Sequence, residues 1–465
     1  MNRLTLLVAV FPSLLAFGQN QTSQRVELLN AGSMTITQMN HVSVTVLKEN
    51  VKLRNQDGTF QCDSAIWWRD LDKFLAYSRV NFIGDDGVKL RGNELDYKEG
   101  VALVKGPVTL VHGNQTLSTP LLRYNTHERT GTFSEGGIIQ TPDGTMSCGS
   151  GSYWAKDQHF QYRYNVIAET EDYRIHCERM EHWPDARHYY IPSPGTAQNV
   201  SKTIGNENSE GFLRFGKAWV WIGKDSTISA FSMGVEGLDS TIMFQADSLY
   251  KKGESTSLYS NNGIAKWADW SGDSLEIHGT YIFRNKATAN AEGNVATFAK
   301  GLVCKSESMN FNAADSTLHF SGKPFVWADE YVLHSDSLRW YQHNSGKLDS
   351  LYGSGLVHIS KPIDSLRFDE MSGHFLSGLM DSIGIKSLNI SGNAQASFQP
   401  DSNRSSLIQC AEINLEFEEG KLHKVRFVKN PQGTVTSPNP TTHLPGFSDE
   451  IAQRPARMVA ISGLK

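Results

Sequence analysis

"QCDSAIWW", residues 61–68, contains a phrase that recurs along the chain: a small residue, an acid or amide, a polar residue, an apolar residue and, two places later, an aromatic residue. A catalytic motif needs one copy, because one site performs the chemistry, whereas a phrase written many times marks an architectural unit. Eleven copies follow one another, degenerate in places: CDSAIW (62–67), GNELDY (92–97), TPLLRY (119–124), CGSGSY (148–153), CERMEH (177–182), ADSLYK (246–251), GDSLEI (272–277), SESMNF (306–311), SDSLRW (335–340), FDEMSG (368–373) and CAEINL (410–415).

Each copy is followed by a second element, a turn glycine and an alternating apolar run such as "VKGPVTL" (104–110) or "AEGNVATF" (291–298). Period-two alternation with Gly, Asn and Asp at the breaks predicts strand, turn, strand, turn. A unit of about 30 residues cannot bury its own apolar face, so neighbouring units must stack. The sequence therefore predicts an all-β fold, an elongated antiparallel β-jelly-roll or folded sheet, with the phrase at a recurring corner.

The N-terminus has the pattern of a secretory signal peptide. "MNR" is positively charged, "LTLLVAVFPSLLAF" is apolar, and small residues precede Gln19. The apolar run is too short for a membrane span, and no later segment approaches the ~18 apolar residues that a span requires. We predict export to the periplasm and five segments: a signal peptide (1–18), N-terminal repeats (19–183), an inserted loop or boundary (184–212), a second repeat region (213–430) and a Pro-rich tail (431–465).

Charge and cysteine content exclude some classes of function. The net charge is −5 without a basic stripe, so the chain has no electrostatic basis for binding nucleic acid. Four of the five cysteines stand at the first position of the phrase, where Gly, Ala and Ser also occur, which indicates small buried residues. An odd count argues against a disulfide framework, and Cys148 with Cys177 is the only plausible pair.

The sequence offers two weak signals for chemistry. "HCERMEHW" (176–183) resembles part of a zinc motif, but on a strand Glu181 would face away from His176, Glu178 and His182. A row of acids at the second position of the phrase could bind calcium or cleave polysaccharide, or could be turn acids that bond local backbone N–H groups. Interruptions such as Pro120 and Gly149 favour the turn acids. We predict no enzymatic activity, no catalytic residue, no metal and no cofactor.

The inward-facing apolar and aromatic residues of the phrase allow two interpretations. They are either an ordinary packed core or a continuous apolar groove that accepts an acyl chain. The candidate groove residues are Trp67, Leu95, Tyr97, Leu122, Tyr124, Tyr153, Phe311 and Trp340.

The repeats resemble the OstA-like family of lipopolysaccharide-transport proteins, which includes the LptA-type periplasmic bridge and the LptD N-terminal domain. The resemblance rests on "FQCDSAIWW" (60–68), "LRGNELDYKEGVALVKGPVTL" (90–110) and "LLRYNTHERTGTFSEGGIIQT" (121–141), and continues more loosely over 240–430. It implies a β-jelly-roll that holds lipopolysaccharide or lipid A by its acyl chains. It also implies head-to-tail strand-edge pairing with other jelly-roll components, in the periplasm or at the outer membrane.

Two other classes remain open from sequence. One is an exported carbohydrate-active or adhesive β-solenoid, and the other is a purely structural envelope protein. An unbroken row of carboxylates along one groove would favour the first, whereas an apolar interior that is open to solvent would favour a lipid carrier.

Overall fold

The structure is a computed structural model that describes residues 26–39, 42–170, 173–199, 211–223, 226–239, 242–261, 263–269, 275–299, 302–328, 330–342, 348–364, 366–381, 384–401, 403–437, 443–449 and 454–456. The proposed signal peptide lies outside these residues, as does much of the 184–212 segment and of the Pro-rich tail. The chain divides into two compact units, Met1–Phe133 and Ser134–Lys465.

The first unit is built from strands and one short 3₁₀ turn, Arg69–Leu71. Its strands are β1 (Glu27–Asn30), β2 (Ser33–Met39), β3 (Val42–Asn55), β4 (Gly58–Trp68), β5 (Lys73–Gly84), β6 (Lys89–Lys98), β7 (Val101–His112), β8 (Gln115–Asn125) and β9 (Thr130–Phe133).

The second unit continues in the same manner. Its strands are β10 (Gly137–Thr141), β11 (Gly144–Cys148), β12 (Ser150–Trp154), β13 (His159–Thr170), β14 (Tyr173–Trp183), β15 (His188–Ile191), β16 (Gly195–Asn199), β17 (Phe212–Ile222), β18 (Thr227–Asp239), β19 (Ile242–Lys252), β20 (Ser255–Tyr259), β21 (Ala265–Asp269), β22 (Leu275–Gly279), β23 (Tyr281–Arg284), β24 (Thr288–Ala299), β25 (Leu302–Asn312), β26 (Thr317–Ser321), β27 (Phe325–Ala328), β28 (Tyr331–His334), β29 (Ser337–Gln342), β30 (Leu348–Pro362), β31 (Phe368–Met380), β32 (Ile385–Asp401), β33 (Arg404–Glu418), β34 (Lys421–Val428) and β35 (Gln432–Thr436).

The predicted fold class is confirmed. Within the described ranges the chain forms no α-helix, and neighbouring strands such as β3–β4, β17–β18 and β32–β33 pair antiparallel. This pairing differs from the parallel stacking of a β-solenoid. None of the described segments is a helix of the length and apolarity that a membrane crossing requires.

The repeated phrase marks a corner at which a long strand passes from one half of a folded sheet to the other. Lys48 pairs with Ser64 and Val51 pairs with Cys62, so the register shifts at the phrase. On the opposing strand Glu49 and Asn50 adopt positive φ, the geometry of a bulge that bends a strand. The same shift recurs opposite Gly92 and Cys177.

The acids at the second position of the phrase bond locally at these corners. Asp247 accepts hydrogen bonds from the Ser260 hydroxyl and the Asn261 amide, and Asp336 accepts one from the Leu356 amide at 2.9 Å. Asp63 pairs with Arg79 across the bend. These contacts support the turn-acid interpretation. Asp273 lies outside the described residues.

For two copies of the phrase the predicted position of the corner was wrong. The passage between β22 and β23 occurs at Thr280, whose amide bonds to Glu292 and Gly293, rather than at 272–277. In β31 the register shift falls at residues 373–374, at the end of the predicted copy at 368–373 and not at its first position. The copy at 368–373 is degenerate, and the observed corner at Gly279–Thr280 lacks the acid of the phrase, so alignment of the letters could not place either corner.

In the second unit the corners divide the sheet into two facing leaves. Leaf A contains β12, β15, β20, β23, β26, β29 and β34, and leaf B contains β10, β11, β16, β21, β22, β27, β28 and β35. The long strands β13, β14, β17, β18, β19, β24, β25, β30, β31, β32 and β33 contribute one half to each leaf. We call the side opposite the corners the seam; there the turns of leaf A and leaf B approach each other.

The interior between the leaves is the core. From β18 to β33 one continuous cluster of buried apolar residues lies in it, including Trp340, Phe320 and Leu388. In the first unit the equivalent interior is filled by aromatic rings: Phe60 contacts Phe74, Phe82 and Tyr97 at centroid distances of 4.6–5.2 Å. All five cysteines are unpaired, and burial raises the pKa of the Cys62 and Cys148 thiols to about 11.

Candidate functional site

The eight predicted groove residues all point into the interior. Trp67, Leu95, Tyr97, Leu122, Tyr124, Tyr153 and Trp340 are buried, and Phe311 is half-buried. The pairing aligns Trp67, Phe74, Tyr97, Ala102 and Tyr124 in one row across the first unit.

These residues are closely packed. Tyr97 stacks on Phe74 at 4.8 Å, and its hydroxyl receives a hydrogen bond from the Asn55 side chain. Trp340 borders a small cavity of about 60 Å³ in the second unit. None of the eight lines the much larger cavity described next, and their contact with an acyl chain stays a prediction.

A cavity of about 1120 Å³ lies between the two leaves of the second unit, bordered by β14–β21, β23 and the turn between β10 and β11. Its volume slightly exceeds the usual range of small-molecule sites in proteins, about 300–1,000 Å³. Many of the apolar residues that line the cavity are only half-buried, because their side chains face this space instead of another side chain. These half-buried residues are Ile175, Phe212, Leu213, Val220, Ile222, Phe231, Leu238, Ile242 and Phe244.

The polarity of the leaf A wall changes between its corner side and its seam side. The cross-strand row nearer the corners is wholly apolar: Ile191, Ala218, Phe231, Leu249, Leu258 and Ile282. The next row toward the seam is mixed: Tyr189, Val220, Ser229, Lys251, Thr256 and Arg284. An amphiphile would therefore place its chains toward the corners and its polar group at the seam.

Among the residues that the structure describes, the seam side of the cavity carries more basic than acidic groups. Arg187, Lys251, Arg284 and Lys286 line it, against Asp143 and Glu254. Lys286 pairs with Glu254, and the Arg284 guanidinium lies 4.5 Å from the centroid of the Trp267 ring. In a chain of net charge −5 this local excess favours a ligand with an anionic group.

One ion pair joins the two leaves at an end of the cavity. Arg187, in the turn before β15, donates from Nε to Asp143 Oδ1, in the turn between β10 and β11, at 3.1 Å. The Asp143 side chain is only 5 % exposed. Tyr189 lines the same end, and burial, followed by the charge of Asp143, raises the pKa of its phenol.

The zinc-like segment does not converge on one face. His182 points inward, where its ring stacks on Tyr189 at 4.2 Å, whereas His176 and Glu178 are exposed. Burial, together with smaller contributions from the neighbouring His159 and His188, lowers the pKa of His182 to about 3. Among the described residues no three His, Cys, Asp or Glu side chains form a metal-binding group.

The sequence does contain a signal for the cavity, at the sixth position of the phrase. In register across leaf A, with the corner between β22 and β23 counted from Gly279, the residues at this position are Tyr153, His182, Lys251, Arg284, Phe311 and Trp340. Aromatic residues at both ends of this row lie in filled core, whereas Lys251 and Arg284 border the cavity. The loss of the aromatic residue therefore marks where the interior opens.

Comparison with known proteins bears on one part of the chain. Residues 23–178 match the family described as OstA-like protein. No curated protein matches the chain.

Proposed function

Residues 23–178 are an OstA-like region, and from this premise we propose that the protein is a periplasmic lipid carrier of lipopolysaccharide transport and outer-membrane assembly, without enzymatic activity. The single observation that supports it is the cavity of about 1120 Å³ between the leaves, with apolar walls near the corners and a polar seam. Acyl chains lie in this cavity, and lipopolysaccharide or its lipid A portion is the ligand. The signal-peptide pattern of residues 1–18 supports export.

The physical need for such a compartment is large. Exposing a lipid chain to water costs about 0.8 kcal/mol per CH₂, so a chain of a dozen methylenes costs about 10 kcal/mol. Half-buried residues of the cavity wall, such as Phe231 and Phe244, gain apolar contacts when an acyl chain enters. Ligand and cavity thus both lose unfavourable contact with water on binding.

The partners we propose are other jelly-roll transport components, joined through strand edges. β2 pairs with β3 and exposes Met34 and Ile36, which are 54 % and 60 % exposed. β35 pairs with β33 and exposes Val435 at 68 %. Edge strands of this kind accept a further strand through their free backbone groups.

Native mass spectrometry of the mature chain purified from the bacterial envelope tests the lipid proposal. The wild type should carry bound lipid A-type species. Phe244→Glu places a charge on the cavity wall and should abolish the adduct, whereas Gln245→Glu, exposed on the opposite face of the same strand, should keep it. Circular dichroism would confirm that both variants are folded.

A wild-type protein free of lipid, together with no lipid uptake from micelles in vitro, would refute the carrier function. Equal lipid occupancy in the two variants would place the ligand elsewhere.

Sedimentation velocity with the purified partner components tests the edge proposal. Met34→Lys with Ile36→Lys should weaken association, because charged edge strands resist pairing. Met233→Lys, at an exposed corner away from an edge, serves as the control. Equal weakening by both changes would exclude β2 as the contact.

A further inference from the structure

Two buried polar atoms on the cavity wall have no hydrogen-bond partner among the residues that the structure describes. They are the Tyr189 hydroxyl and Asp143 Oδ2. Tyr189 is 3 % exposed and lies on leaf A, and the Asp143 side chain is 5 % exposed and comes from a turn of leaf B. Both residues line the cavity.

Buried polar groups without a partner are uncommon, because burial removes their water without replacing it. Asp143 is fixed in place, since Arg187 Nε already bonds to its other oxygen at 3.1 Å. A carboxylate oxygen only accepts hydrogen bonds, whereas a phenol both donates and accepts. A single hydroxyl group between them would satisfy both, by donating to Asp143 and accepting from Tyr189.

The position of these atoms agrees with the polarity of the wall. Tyr189 belongs to the mixed row, and Ile191, two residues along the same strand, belongs to the apolar row. Two residues of a strand span about 7 Å. A hydroxyl bound at Tyr189 therefore lies where the apolar chain of a ligand meets its polar part.

We propose that Asp143 and Tyr189, with Arg187 holding the carboxylate, form a subsite that binds a hydroxyl group of the amphiphile carried in the cavity. The inference rests on the proposed lipid-carrier function. The hydroxyl belongs either to the acyl chain near its carbonyl or to the head group.

Titration of the mature chain with matched probes tests this subsite. Tetradecanoic acid and 3-hydroxytetradecanoic acid differ only in a chain hydroxyl, and propyl tetradecanoate and 1-tetradecanoylglycerol differ only in two head-group hydroxyls. The wild type should bind the hydroxylated member of at least one pair about tenfold more tightly, as expected for a hydrogen bond to a buried charged group. The pair that shows the preference identifies the source of the hydroxyl.

Tyr189→Phe should reduce that preference several-fold. It removes a hydroxyl for which no described residue serves as a hydrogen-bond partner, so the thermal midpoint should not fall. Tyr190→Phe is the control, because Tyr190 stacks on Trp219 at 5.1 Å on the other face of β15.

Tight binding of every probe without preference in the wild type would overturn the subsite and leave the carrier function intact, with water satisfying the two atoms. A preference that survives Tyr189→Phe would also overturn it. Failure of all probes to bind would instead refute the carrier function, and the subsite with it.

Discussion

The interior of the first unit and the cavity of the second unit are built from the same corner and strand pattern, yet one is filled and the other is open. In the first unit Phe74, Phe82, Tyr97 and Tyr124 are at most 2 % exposed. In the second unit Phe231 and Phe244 remain half-buried. The difference lies in the side chains at the sixth position of the phrase, which are aromatic rings in the first unit and the charged chains of Lys251 and Arg284 beside the cavity.

The comparison shows that the interior between the leaves stays open where the repeats no longer place aromatic rings in it. Backbone geometry alone does not distinguish the two regions, since the register shifts at Gln61/Ser64 and at Ser232/Val235 are of the same kind. A cavity that accepts an acyl chain must lie where the interior is incompletely packed, because a close-packed core has no room for such a chain.

A buried charge should separate the two regions most strongly. Leu122→Glu puts a carboxylate at a 0 % exposed position in the first unit, and should cost about 4 kcal/mol or more and unfold that unit. Ile222→Glu, half-buried beside the seam, should cost less than about 1.5 kcal/mol, because its charge can reach water. Denaturant unfolding followed by fluorescence measures both.

The same variants test the predicted groove residues. If Leu122→Glu stays folded and loses lipid, the first unit contains a slot and its residues bind the ligand. If it unfolds while Ile222→Glu stays folded, the core interpretation of Leu95, Tyr97, Leu122 and Tyr124 is supported.

Truncation of an aromatic ring should give the next largest difference. Phe82→Ala removes a ring that contacts Phe60 at 4.6 Å, and should cost 3–5 kcal/mol, the range typical of large core truncations. Phe231→Ala should cost about 1–2 kcal/mol, because the ring already faces open space. Equal losses in urea unfolding would show that the second interior closes around Phe231 in solution.

How far the sequence could predict these regions follows from the same residues. The corners at Cys62 and Cys177 were predictable, because each joins a small residue to a period-two run. The inward orientation of Leu95 and Tyr97 followed from alternation. The cavity could not be located this way, because it depends on volumes that face each other across two leaves. Asp143 and Tyr189 carry no repeat signal, since their pairing is made by the fold.

Acid should destabilise the second unit, which contains the buried histidines. Burial lowers the pKa of His182 to about 3, whereas an unfolded histidine titrates near 6.5. The free energy of unfolding is therefore independent of His182 above pH 6.5. As the pH falls from 6.5 toward 3, it decreases by about 1.4 kcal/mol per pH unit. At pH 5 the loss from His182 should be about 2 kcal/mol.

Urea unfolding at pH 7.5 and pH 5 measures this dependence. His182→Phe should remove the contribution of His182 to the pH dependence of the free energy of unfolding. His358, whose pKa burial lowers to about 4, should keep its own contribution. His176→Asn, at an exposed position of the same strand, should leave the slope as in the wild type. A slope unaltered by His182→Phe would contradict the burial of a neutral imidazole beside the cavity.

The smallest expected effect is that of enlarging an alanine, which should destabilise the first unit and stabilise the second. Ala102→Leu in the first unit adds volume between Tyr97 and Tyr124, its cross-strand neighbours, and should cost about 1–3 kcal/mol through overpacking. Ala197→Leu adds the same carbons to the cavity wall and should stabilise the fold by about 1 kcal/mol, since the new methyl groups bury apolar area without a clash. Thermal midpoints measure both signs, and lipid occupancy by native mass spectrometry should fall only in Ala197→Leu. Destabilisation by both substitutions would mean that the leaves already touch in solution and that the cavity opens only when a ligand separates them.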